Sequence, residues 1–160
     1  MPLPVGTRAP LFTLRSLQNG EFKDVSLEDN LGQRNTVLLF FPGAFTPPCT
    51  EEMCLVNDWH QKAAALDAVV WGISCDTAFS QAAWAKQENI SIPLLADYAK
   101  EVATQYDVLL PSLAGMGPSA ARAAFVVNRH GIIRYAEQTE TPLTMPNFDA
   151  VKAALEGERE

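Results

Sequence analysis

The residues best placed to do chemistry are the eight from Pro42 to Cys49: Pro-Gly-Ala-Phe-Thr-Pro-Pro-Cys. An apolar run, Thr36-Val-Leu-Leu-Phe-Phe41, precedes them and reads as a buried strand. The segment that follows, Thr50-Glu-Glu-Met-Cys-Leu-Val-Asn-Asp-Trp59, reads as a helix. A cysteine in the first turn of a helix faces free N–H groups and the positive end of the helix dipole, which favour the thiolate. The thiolate is the nucleophile, so this geometry points to redox or nucleophilic chemistry. The plain alternative is a buried core thiol behind a Thr-Pro-Pro helix start.

Thr46 is a natural N-cap. Pro47 and Pro48 then fall at the first two helical positions, where their missing N–H groups cost no helix bond. The first free amides belong to Cys49 and Thr50, and the Thr46 hydroxyl is expected to accept from one of them. The same hydroxyl is positioned to donate to the thiolate or to a bound oxygen.

The rest of the chain supplies strands and helices in alternation. Phe12-Thr-Leu14 and Phe22-Lys-Asp-Val25 flank Asn19-Gly20, a hairpin-turn dipeptide. Residues 26–30 read as a turn or short helix. The helix from about 49 to 66 carries Met53, Val56, Trp59, Ala63 and Leu66 on one stripe. A strand is expected over 68–74, then a helix capped by Asp76 or Thr77 and running to about Glu88. Residues 93–96 read as a strand, 98–106 as a short helix and 110–120 as a loop. Ala123–Val127 and Ile132–Ala136 flank a second hairpin turn, and a helix closes the chain over 147–156. This order predicts an α/β fold: a central mixed β-sheet flanked by helices, opened by an N-terminal β-hairpin. Cys49 then lies at the carboxyl end of a central strand, where open α/β sheets place their ligands. A thioredoxin-like arrangement fits.

The whole chain sets bounds on partners. Its 160 residues suit one domain over 1–160. A formal charge of −7 argues against nucleic acid. No apolar run approaches a membrane span, and the first residues do not read as a signal peptide. Three cysteines make a poor disulfide framework and suit a reducing cytoplasm.

Pro42-x-x-x-Thr46-x-x-Cys49 resembles the active-site signature of the peroxiredoxins. Phe40-Phe41 before it and Glu52 after it extend the likeness, as do Arg122-Ala-Ala-Phe-Val-Val127, Val5-Gly6…Phe12-x-Leu14, and Ile73-Ser-Cys-Asp76 with Phe79 and Trp84. The resemblance runs over nearly the whole chain. It implies a thioredoxin fold and peroxide reduction without metal or other cofactor. Cys49 would be the peroxidatic nucleophile, passing through sulfenic acid. Arg122 would stabilise the thiolate and the charge developing along the O–O bond. Thr46 would hydrogen-bond the peroxide oxygens, Pro42 would shield the site, and Glu52 would orient the arginine. Read without the resemblance, Arg122 is better explained by a pair with a surface carboxylate, and Glu52 fits an ordinary exposed first-turn acid.

The spacing Cys49-x-x-x-x-Cys54 resembles the Q-type branch, in which the second cysteine resolves the sulfenic acid within the chain. Five helical residues rise about 7.5 Å, leaving Cα atoms roughly 8–9 Å apart. A disulfide wants about 4.4–6.8 Å, so residues 46–56 would have to unwind. Other stretches are similar to the type-five and alkyl hydroperoxide reductase E branches, in which Cys54 would be incidental and an external thiol would resolve. Cys54 would then be a small apolar residue on the helix's buried side, and Cys75 is expected to be buried and inert. The family implies recycling by thioredoxin, glutaredoxin or a low-molecular thiol. It also suggests a homodimer, for which the loop 110–119 and Trp84 are candidate contacts. A non-enzymatic redox sensor or chaperone-like protein would show the same residues. Thioredoxin-type reduction lacks its Cys-x-x-Cys, and no zinc-ligand pattern joins the cysteines to His60 and His130.

Overall fold

The computed structural model describes residues 1–158. Strand β1 (Thr13–Gln18) turns through Asn19 and Gly20 into β2 (Glu21–Ser26). Both turn residues have positive φ, 51° and 79°, the geometry that an Asn-Gly pair adopts most readily. A short 3-10 turn over Leu27–Asn30 leads to β3 (Asn35–Phe40). There follow α1 (Pro47–Ala64), β4 (Ala68–Ser74), α2 (Ala78–Glu88), β5 (Leu94–Ala96) and α3 (Glu101–Gln105). Strands β6 (Leu109–Leu110), β7 (Ser119–Ala120), β8 (Ala123–Val127) and β9 (Ile133–Gln138) precede the last helix, α4 (Phe148–Gly157).

Seven strands form one sheet in the order β2-β1-β5-β4-β3-β8-β9. Strand β3 pairs parallel with β4 and antiparallel with β8, so the sheet is mixed. All six β3 residues are buried, which explains why Val37–Phe40 is a continuous apolar run rather than an alternating one. Period-two alternation divides the core between the faces. Leu38, Phe40 and Phe125 meet Phe12, Val102 and Tyr106 on one side. Val37, Leu39 and Val126 meet Met53, Val56 and Trp59 of α1, Trp84 of α2 and Val151 and Leu155 of α4 on the other. Each such large side chain stabilises the fold by about 1.5–3 kcal/mol. No described helix is long and apolar enough to cross a membrane.

Two expected elements differ. The helix expected over 98–106 starts only at Glu101, because Lys100 takes a left-handed φ of 65° and the buried Asp97 carboxylate accepts from the Val102 and Ala103 amides. The stretch 110–120 is not a plain loop. Its ends pair as β6 and β7, with Leu110 opposite Ser119, and this brings Ser119 against the loop that carries the site.

Candidate active site

Phe40 ends β3 and the chain crosses Pro42–Thr46 before entering α1. Thr46 is extended (φ −83°, ψ 141°), as the residue before a proline prefers, and Pro47 and Pro48 open the helix. The hydroxyl expected to cap α1 does not do so. Thr46 Oγ1 instead donates to the Gly43 carbonyl at 2.8 Å, and the Thr50 amide finds the Thr46 carbonyl. With the first two helical positions lacking N–H groups, the hydroxyl closes its own turn. Phe45, between them, has φ 66° and a half-exposed ring.

Cys49 has no exposed surface. The helix repeat places it in one stripe with Glu52, Met53 and Val56, all buried. Opposite them lies Arg122, itself 1% exposed, at the turn before β8. The pairing of Phe40 with Ala123 sets the arginine beside the end of β3. Arg122 uses all three nitrogens. Nη2 donates to Cys49 Sγ at 3.0 Å, Nη1 donates to Glu52 Oε1, and Nε donates to the Pro142 carbonyl at 2.8 Å. A planar guanidinium held at three points aims a fixed positive charge at the sulfur. Burial pushes the Glu52 carboxyl up to about 7, against the pull of the Arg122 charge, and Glu137 adds to the rise.

The structure thus brings Cys49, Glu52 and Arg122 into direct contact. Glu52 is neither exposed nor an ordinary first-turn acid, and Arg122 is not a surface residue. Pro42 is buried, and its carbonyl accepts from Ser119 Oγ at 2.6 Å. Cys54 is exposed, since five residues along the helix carry it off the stripe. The expectation that Cys54 would sit on the buried side as an apolar residue therefore fails. Cys75 is half-buried rather than fully so. It lines a cavity of about 270 Å³ with Pro42 and Thr46, and burial, followed by the Asp97 charge, pushes its thiol up to about 11.

Trp84 is wholly buried, which removes it as a dimer contact. Its Nε1 donates to Thr50 Oγ1 at 3.0 Å, and its ring tilts against Phe41. Thr50 follows Cys49 directly, so any unwinding of the first helical turn breaks this bond. Peroxide is therefore expected to change the tryptophan emission, and Trp84→Phe is expected to abolish the change in stopped flow. An undiminished signal in that variant would place the reporter at Trp59 or Trp71 and contradict the coupling. The ties at Trp84, Ser119 and Pro142 had no sequence signal, because each depends on strand register or on a backbone carbonyl.

Comparison with known proteins shows the family and the fold. The family model described as AhpC/TSA family matches residues 5–136. A protein of Synechocystis sp. named as peroxiredoxin sll0755 is 39% identical over 141 residues, covering 84% of this chain and 68% of its own. The chloroplastic 2-cysteine peroxiredoxin of Chattonella marina var. antiqua is 33% identical over 143 residues, covering 85% and 71%. The chain thus spans about two thirds of the length of these relatives. Among solved structures, peroxidoxin BcpB from Mycobacterium tuberculosis superposes with a TM-score of 0.82 at 29% identity, covering 98% of both chains. The reduced 2-Cys peroxiredoxin of Plasmodium vivax gives a TM-score of 0.86 over 97% of this chain and 81% of its own, and at 23% identity it speaks for the fold. The chain therefore belongs to the AhpC/TSA family, the peroxiredoxins, which are thiol-dependent peroxidases.

Proposed function

We propose that Cys49 is the peroxidatic nucleophile of this protein. The observation that carries the reading is the Arg122 guanidinium, held by Glu52 and Pro142 and donating to Cys49 Sγ at 3.0 Å in a site closed to water. The thiolate attacks one oxygen of a hydroperoxide, the O–O bond breaks, and sulfur leaves the step as sulfenic acid. The departing oxygen takes a proton and leaves as water or an alcohol. Fixed donors aimed at that developing charge act most strongly in a dry pocket. In this reading Thr46, whose hydroxyl now donates to the Gly43 carbonyl, turns it to the peroxide oxygens, and the buried Pro42 shields the site from water.

Cys54 resolves the sulfenic acid in this reading. Its sulfur attacks the Cys49 sulfur, an S–S bond forms, and water leaves. The exposed Cys54 and the buried Cys49 lie on different sides of one helix, so the first turns of α1 must unwind. A dithiol such as thioredoxin or glutaredoxin, or a low-molecular thiol, then restores both cysteines. Three free cysteines and a −7 charge support a reducing cytoplasmic setting without nucleic acid. Exposed Phe45 and Met116 beside the site support a homodimer through this face.

Peroxide consumption with thioredoxin and its reductase tests the reading. The native protein is expected to turn over, and Cys49→Ser is expected to be inactive. Cys54→Ser should complete one oxidation and then stall unless a small thiol is added. In the oxidised native protein, amide exchange should accelerate over residues 46–56. Undiminished turnover of Cys54→Ser with thioredoxin alone would favour a one-cysteine cycle with external resolution.

A further inference from the structure

The loop Pro42–Thr46 is fastened at two points, and only one of them belongs to an extended network. The Ala44 amide donates to Asp76 Oδ2 at 2.8 Å. The same oxygen accepts from Ser74 Oγ at 2.7 Å. Ser74 Oγ in turn accepts from Gln81 Nε2 at 2.8 Å, and Gln81 Nε2 also donates to the Leu95 carbonyl at 2.8 Å. Ser74 and Gln81 are buried, so this chain of bonds ties the loop to β4, α2 and β5 in a setting where water competes little. The other fastening is Ser119 Oγ on the Pro42 carbonyl.

Packing holds the first half of the loop, where Pro42 and Gly43 are buried, and leaves Phe45 half-exposed. A cavity of about 270 Å³ runs along Pro42, Gly43, Ala44 and Thr46. Between the fastenings Phe45 keeps a left-handed φ of 66°, a conformation costly for a side chain of its size. Strain beside an empty volume favours a loop that opens once its hydrogen bonds are cut. Yet the two halves of a thiol peroxidase cycle ask opposite things of this loop. Peroxide attack needs Cys49 held against Arg122. Attack by a second thiol needs Cys49, which has no exposed surface, to come out.

We propose that Asp76 is the latch of this loop: a positioning residue that promotes oxidation of Cys49 and restrains its release. The proposal rests on the reading of Cys49 as the peroxidatic thiol. Removing the carboxylate leaves the Ala44 amide without a partner and frees the loop end that Phe45 strains. The two steps then change in opposite directions, which damage to the fold as a whole would not produce.

The test compares Asp76→Ala and Asp76→Asn with the native protein. Asparagine keeps an acceptor oxygen at the same place. Three quantities are measured on reduced protein: the rate of Cys49 oxidation by hydrogen peroxide, the rate of Cys49 alkylation by N-ethylmaleimide, and amide exchange. In Asp76→Ala, oxidation is expected to slow about tenfold and alkylation to speed up about tenfold, the scale of one lost hydrogen bond to a charged group. Faster exchange should be confined to residues 42–50, with β3 and β4 unchanged. Asp76→Asn should restore both rates to within about threefold. Unchanged rates in Asp76→Ala, an equal defect in Asp76→Asn, or faster exchange throughout β3 and β4 would each overturn the latch. If the native Cys49 fails to react with peroxide, the functional reading falls, and the alkylation and exchange comparisons still decide whether Asp76 holds the loop.

Discussion

Replacing Arg122 with methionine is expected to slow reaction with hydrogen peroxide by about 10²–10³-fold, the usual scale for removing a fixed donor from a charge-stabilising site. The methionine stem keeps most of the packing in this fully buried position. What goes is the donation to Cys49 Sγ and the charge that would meet the departing oxygen. Lysine is not a conservative exchange here. A single ammonium cannot hold Glu52, Pro142 and Cys49 together in the plane that the guanidinium provides. Arg122→Lys should therefore recover less than about a tenth of the native rate, on the scale set by a misplaced catalytic group. Rapid-mixing measurement of the second-order rate constant checks both variants. A rate within threefold of native in Arg122→Met would show that the guanidinium does not act on the reacting sulfur.

Glu52 is expected to separate two functions of a buried acid. Glu52→Ala strips the acceptor from Arg122 Nη1 in a site with no solvent, and breaking a buried pair in this way costs about 3–5 kcal/mol of stability. The arginine then loses its aim, and the peroxide rate should fall by about 10–100-fold. Glu52→Gln keeps an acceptor for Arg122 and removes only the charge. Its comparison with the native protein depends on pH. Burial raises the folded-state value of Glu52 to about 7 from an ordinary value of 4.5. A raised carboxyl stabilises the fold fully below the ordinary value, and that contribution is lost as pH rises through about 7. The native protein should therefore lose stability relative to Glu52→Gln between about pH 4.5 and pH 7, with little further change above. Denaturant midpoints taken across this range check the sign. A gap that moves the other way would show that Arg122 outweighs burial at this carboxyl.

Much of this architecture is legible in the residues because it rests on local rules. The run 37–41 is apolar without a break since β3 is buried on both faces, and Asn19-Gly20 takes the two positive φ angles that its chemistry allows. Cys49 is legible as a reactive thiol because strand, turn and Thr-Pro-Pro helix start are contiguous. Arg122 stands 73 positions further on, and only the β3–β8 register brings it there. Family likeness pointed to it, whereas periodicity could not. Glu52 is legible in the helix repeat as well as in the family likeness. Counting apolar residues starts the buried stripe of α1 at Met53, yet Cys49 and Glu52 stand four and one positions earlier on the same face. Cys54, off that stripe, is exposed for the same reason. Asp76 and Thr77 both stood as candidate caps of α2; Thr77 takes that place, and Asp76 turns back to the Ala44 amide.

The central claim is that Cys49 is the thiol that peroxide oxidises and Cys54 the one that resolves it. Reduced protein is mixed with one equivalent of hydrogen peroxide, the remaining thiols are blocked, and intact and peptide masses are taken within seconds. The account predicts a Cys49–Cys54 disulfide formed within one chain, with Cys75 still alkylated. One oxygen retained on Cys49 beside an alkylated Cys54 would contradict the resolving step, and an unmodified Cys49 would contradict the claim as a whole.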